Sequence, residues 1–121
     1  MGQKRDYVRL NKAIALEYKV IVDKFANTAI PPNMTNTATL SGNGLTFMSA
    51  KKIDKGVRLE MRIDVPGKAV DLAGEVINTK QKGPGEFEIV AKFTEIDEPD
   101  RDRLVKYILR EGIKAKPKNA K

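Results

Sequence analysis

Two short sets of residues in this 121-residue chain have the types and spacing to engage a ligand. The first is a pair of arginines near the N-terminus, Arg5 and Arg9, whose i,i+4 spacing would bring them to one face if this short polar segment, an arm or a turn of helix, were helical. The second is the stretch Thr39-Leu40-Ser41-Gly42-Asn43-Gly44-Leu45-Thr46-Phe47, where small residues and a hydroxyl around a turn leave room beside the backbone. The arginines would supply counter-charge to an anion and Ser41 a hydrogen-bonding hydroxyl. Gly42 and Gly44 permit positive φ and close approach of another group. A turn by itself accounts for Gly42 and Asn43, but it gives Ser41 and Gly44 no particular reason to flank it. An isolated Arg-x-x-x-Arg is most often a solvated basic terminus, so the pair takes meaning only from its surroundings.

Composition removes several classes of chemistry. The chain has no cysteine and no histidine, which excludes thiolate or imidazole metal sites, thiol nucleophiles and the usual general base near neutral pH. Asp64, Asp71 and Glu75 fall at solvated strand positions, so the chain reads as a binding protein that needs no cofactor or metal, not an enzyme. The net charge of +7 favours an anionic partner, and it is concentrated at the ends. Lys4, Arg5, Arg9 and Lys12 face a single acid, Asp6, in residues 1–12, and residues 114–121 hold four lysines and no acid. A barrel that binds single-stranded nucleic acid would share this charge, but with three Tyr and four Phe, the latter mostly at core-facing positions, the exposed stacking platforms are missing. No apolar run approaches the roughly 20 residues of a membrane span, and the polar start lacks a signal peptide's apolar core, so a cytoplasmic location is expected.

The elements that must position these residues are mainly strands. Ile14, Leu16, Tyr18, Val20 and Val22 alternate with other residues over Ala13–Val22, the period of a strand. Residues 23–36, with Asn27-Thr28, Pro31-Pro32 and Asn33, read as a long loop that Met34 pins to the core. Thr37–Ser41 and Gly44–Ser49 form a hairpin around a two-residue Gly42-Asn43 turn of a favoured type. Val57, Leu59, Met61 and Ile63 alternate next, then Val70–Lys80 with a bend or bulge at Gly74, a turn over Gln81–Gly85, and Glu86–Thr94 with Phe87, Ile89, Ala91 and Phe93 on one face. Five to six short strands with no helix between them predict an antiparallel sheet that closes or nearly closes through consecutive hairpins. The period then changes. Asp97-Glu98-Pro99-Asp100 starts a helix whose stripe of Leu104, Val105, Ile108 and Leu109 would plug a barrel end or cover a sheet, with Gly112 ending it.

In this arrangement the chain resembles the PilZ domain family, which binds the bacterial second messenger cyclic di-GMP. The resemblance runs from Lys4 to about Gly112. It rests on Arg5-x-x-x-Arg9 directly before the first strand, and on a match to Asp/Asn-x-Ser-x-x-Gly at Thr39–Gly44, about 30 residues later. Leu45 and Phe47, Gly56, Gly74-Glu75-Val76 and the run Ile89–Asp97 into the helix add to it. The family's fold is all-β, a six-stranded antiparallel barrel with a C-terminal helix. The resemblance implies a site of Lys4, Arg5, Arg9, Thr39, Ser41 and Gly44, with the guanidinium forks on phosphate oxygens and the O6/N7 edge of guanine. Thr39 departs from the pattern, putting one hydroxyl and a methyl where the family has Asp or Asn, a two-acceptor group able to meet guanine N1–H and N2–H. The organisation expected is a basic arm over 1–12, the barrel and helix over 13–112 and a flexible lysine-rich tail over 113–121. The function expected is binding of cyclic di-GMP, relayed by ordering the arm and changing contacts with a downstream protein or fused domain, from a monomer or homodimer. The alternative is a degenerate module that binds no nucleotide and acts through protein contacts.

Overall fold

The computed structural model describes residues 7–21 and 33–115 of the chain. It contains β1 (Ala15–Ile21), β2 (Asn33–Leu40), β3 (Gly44–Ser49), β4 (Arg58–Ile63), β5 (Val70–Gly83), β6 (Glu86–Glu95) and α1 (Glu98–Ala115). The strands form a closed antiparallel barrel in the order β1-β2-β3-β6-β5-β4. Alternation does the sorting: on β4, Leu59, Met61 and Ile63 are buried while Arg58, Glu60 and Arg62 face solvent. Leu16 and Tyr18 of β1, Phe47 of β3, Val76 of β5 and Ile89 of β6 join them in one core, where the Tyr18 and Phe47 rings lie 4.6 Å apart.

Closure is not achieved by consecutive hairpins alone. β3 pairs with β6 and β4 with β1, so the chain leaving β3 must cross the barrel to reach β4. That connection buries Ile53, whose carbonyl accepts a hydrogen bond from the Thr79 hydroxyl. β2 begins at Asn33, earlier than its pattern predicts, because Asn33–Asn36 pair with β1 and a pairing partner outweighs poor strand propensity. Met34 does not pin a loop: it sits on β2 and is 70% exposed, since the residues it pairs among place it on the outer face. Residues 23–32, the rest of the expected loop, lie outside the described residues, as does Val22, the expected end of the first strand. β5 bulges at Gly74 as expected, and it continues through Gln81–Gly83 so that only Pro84 and Gly85 turn, Gly85 at φ 67°.

α1 starts where expected, with Asp97 O accepting from Arg101 N–H and Glu98 and Asp100 in the first turn, where acids complement the helix dipole. Leu104 and Ile108, one turn apart, are fully buried, each worth roughly 1.5–3 kcal/mol of burial. Val105 is half-buried, while Leu109 is exposed, so the buried stripe is narrower than its sequence implies. The helix lies across one barrel end, touching the β2–β3 turn through Val105 and the β4–β5 link through Arg103, whose guanidinium donates to Lys68 O. Gly112 does not end it: it does not take the positive φ of a left-handed cap, and the helix continues to Ala115. Residues 116–121 lie outside the described residues.

Candidate functional site

The segment before β1 is docked, although its sequence is polar. Leu10 and Leu40 exchange both backbone hydrogen bonds, Leu10 N–H to Leu40 O at 2.7 Å and Leu40 N–H to Leu10 O at 2.9 Å, and Leu10 is 4% exposed. In an antiparallel pair the next residues out are opposite one another, so Arg9 stands across from Ser41. Arg9 itself is exposed. A second fastening comes from Thr37, 3% exposed, whose hydroxyl donates to Lys12 O at 2.9 Å and accepts from Ile14 N–H at 3.0 Å. Lys12 also pairs with Glu111 of α1, and that partner holds its amine above the usual lysine range.

The turn of residues 41–44 is built mostly from itself. Ser41 N–H donates to Gly44 O, and the Ser41 hydroxyl, 7% exposed, donates to Asn43 Oδ1 at 2.7 Å or Gly44 O at 3.2 Å while accepting from Asn43 N–H. Phe93 N–H donates to Asn43 O, tying the turn to β6. Neither Gly42 nor Gly44 has positive φ, so the turn is not one of the left-handed hairpin types. Both glycines serve close approach instead. A Cβ on Gly44 would lie 2.7 Å from Ala91 O, and one on Gly42 would lie 2.6 Å from Tyr7 Cδ1 and 2.8 Å from Val105 Cγ2. Ser41 and Gly44 thus do have structural reasons to flank the turn, contrary to the expectation that it needs neither. Gly42 is where arm, turn and helix meet: the Arg101 guanidinium lies 5.9 Å from the Tyr7 ring centroid, at the outer limit of a cation–π contact, and Nη1 donates to the Tyr7 hydroxyl at 3.2 Å.

Thr39 is half-buried on the outer barrel wall, its hydroxyl 2.8 Å from that of Thr46 on β3. On the same wall Lys92 is exposed opposite Gly44 in the β3–β6 register, a further cation beside the turn. Arg9, Thr39, Ser41 and Gly44 are therefore brought to one edge of the barrel, while Lys4 and Arg5 lie outside the described residues. A groove of about 850 Å³ lies on the outside of β1, β4 and β5 and reaches Arg101 at the start of α1. Its lining has six carboxylates, among them Glu17, Asp71 and Asp97, against three cations, a poor match for an anion. There Arg62 grips Asp71 through two hydrogen bonds, holding that carboxyl below its ordinary value. Among the described residues no group of carboxylates could hold a metal ion, and no helix is long and apolar enough to cross a membrane.

Residues that the sequence did not flag hold this edge together. Leu10 had one signal, an apolar residue in a charged arm; Tyr7, Thr37 and Thr46 had none, because a single ring or hydroxyl reveals its partner only once the strands are paired.

A family model described as PilZ domain matches residues 3–110. The chain belongs to the PilZ domain family. Among solved structures, the Bacillus subtilis inhibitor of motility MotI/DgrA superposes with a TM-score of 0.75 at 16% identity, over 95% of this chain and 54% of that one. The PilZ domain with c-di-GMP of YcgR from Escherichia coli gives 0.64 at 14% identity over 93% and 96%, and the K. pneumonia MrkH–c-di-GMP complex 0.68 at 14% over 94% and 54%. At these identities the likeness is one of PilZ fold, and this chain spans about half the length of MotI and of MrkH. No curated protein matches it.

Proposed function

We propose that this chain is a bacterial, cytoplasmic receptor for cyclic di-GMP. The observation that carries the reading is the Leu10–Leu40 backbone pair, which brings Arg9 to the turn of Thr39, Ser41 and Gly44. Arg9 of the first motif and the residues of the second, far apart in the chain, thereby lie near one another, with Lys92 adding positive charge. The solved complexes of the YcgR PilZ domain and of MrkH with c-di-GMP add support from the same fold. Arg9 would take a phosphate or a guanine edge through its fork of donors, and Lys4 and Arg5 would add further cationic donors. Because Tyr7 is packed between Gly42 and Arg101, a ligand that re-aims the arm would be felt at α1, and from there by a downstream protein or a further domain.

A second reading has its own support. The hydroxyls of Thr39 and Ser41 already have partners and Ser41 is buried, as in a module that has kept the turn for its fold and acts through protein contacts without nucleotide. Calorimetric titration of cyclic di-GMP into wild type, Arg5→Ala and Arg9→Ala decides. Saturable heat in wild type that either arginine variant weakens supports the receptor, and a flat wild-type trace leaves only the second reading.

A further inference from the structure

A lone Thr39 hydroxyl is a weaker purine reader than the carboxylate or carboxamide it replaces, but Thr39 does not stand alone. The β2–β3 register shifts between Thr37 and Thr39: Thr37 faces Phe47, while Thr39 faces Thr46 and Leu40 faces Leu45. Without that bulge Thr39 would pair with Leu45 and turn inward with it; with the extra residue it joins Thr46 on the outer wall. There Thr39 N–H donates to Thr46 Oγ1 at 3.1 Å and the two hydroxyl oxygens are 2.8 Å apart. Both residues are half-buried, open on the side away from the core.

Each hydroxyl has two lone pairs and one proton. Thr46 uses one lone pair on Thr39 N–H, and if its proton goes to Thr39 Oγ1, each oxygen keeps one free lone pair. Two acceptors on adjacent oxygens are what the neighbouring N1–H and N2–H donors of guanine require. We propose that Thr46 is a specificity-determining residue, its hydroxyl acting with that of Thr39 as a composite two-acceptor reader of the guanine edge. This rests on the cyclic di-GMP reading and names how the base is recognised. A Thr–Thr cross-strand pair is also an ordinary sheet contact, so the test needs a readout that sheet stability does not move.

Wild type, Thr46→Val, Thr46→Ser and Thr39→Asp, with the Thr39→Asp/Thr46→Val double variant, are titrated by calorimetry with cyclic di-GMP and with its hypoxanthine counterpart, which lacks the N2 amino group. Wild type is expected to prefer the guanine ligand. Thr46→Val should lose about tenfold in affinity for cyclic di-GMP and little for the hypoxanthine ligand, so that the preference collapses, while Thr46→Ser keeps it. In the Thr39→Asp background the carboxylate supplies both acceptors, and Thr46→Val should then change little. Equal losses for both ligands, no loss for either, or the same loss in the Thr39→Asp background overturn the assignment. A silent wild type overturns the receptor reading itself, an outcome distinct from any change confined to Thr46.

Discussion

The two halves of the candidate site are held by opposite means. In the turn of residues 41–44 the polar side chains bond to one another, and Gly44 lies against the backbone of β6 with no room for a Cβ. The segment from Tyr7 to Lys12 rests on the barrel through the Leu10–Leu40 pair, the Thr37 hydroxyl and the Tyr7 ring, and it leaves Arg9 in solvent. Residues of the two motifs thus differ in how they are held. Ser41 and Gly44 shape the scaffold, whereas Arg9 lies exposed among the described residues.

If the contrast is right, damage to the turn is read in stability and damage to the arm in affinity. Gly44→Ala should have the largest effect, because its Cβ meets a backbone carbonyl that cannot rotate away. A loss of about 3 kcal/mol is expected, seen as a lower urea midpoint with an unchanged slope, and a variant as stable as wild type breaks the contrast. Arg9→Ala should move that midpoint by less than about 0.5 kcal/mol. Its effect appears instead in calorimetry as a cyclic di-GMP affinity weakened about tenfold or more. Thr37→Val sharpens the boundary between the halves. It leaves Ile14 N–H without the hydroxyl it donates to and should cost about 1–2 kcal/mol, with amide exchange at Leu10 and Leu40 accelerating before the rest of the barrel.

The smallest effect is at Lys12, whose amine is raised above its ordinary 10.5 by Glu111. A raised folded-state value means that the pair's contribution is complete below 10.5 and disappears as pH climbs through the higher value. Thermal melts of wild type and Lys12→Met should therefore differ slightly and constantly from neutrality to about pH 10, and converge above it. A gap that stays open above that pH, after the amine has lost its charge, would show that the lysine acts by packing.

Much of the barrel was legible because most strands bury one face. The alternation on β1, β4 and β6, the bulge at Gly74 and the change of period at Glu98 all carry through into the structure. What escaped depends on partners distant in sequence. Asn33–Asn36 look like a loop until β1 pairs with them, and the chain's crossing from β3 to β4 has no local mark at all. At the site, the family motifs pointed to Lys4, Arg5, Arg9, Thr39, Ser41 and Gly44, but not to the packing that Ser41 and Gly44 serve within the barrel. A glycine needed beside Ala91 O and a glycine needed beside a ligand are spelled alike, and only the β3–β6 register tells them apart. The bulge that turns Thr39 outward is likewise invisible, since Ala38 carries no glycine or proline to announce it.

The strand order also sets a timetable for synthesis. β6 is the last strand made, yet it fills the gap between β3 and β5. Until residues 86–95 have emerged from the ribosome, the nascent sheet can run only β3-β2-β1-β4-β5, with β3 and β5 as open edges exposed to wrong pairing. The Phe93–Asn43 bond that ties down the turn forms with that same strand. A barrel of this strand order cannot fix its β2–β3 turn until β6 has emerged.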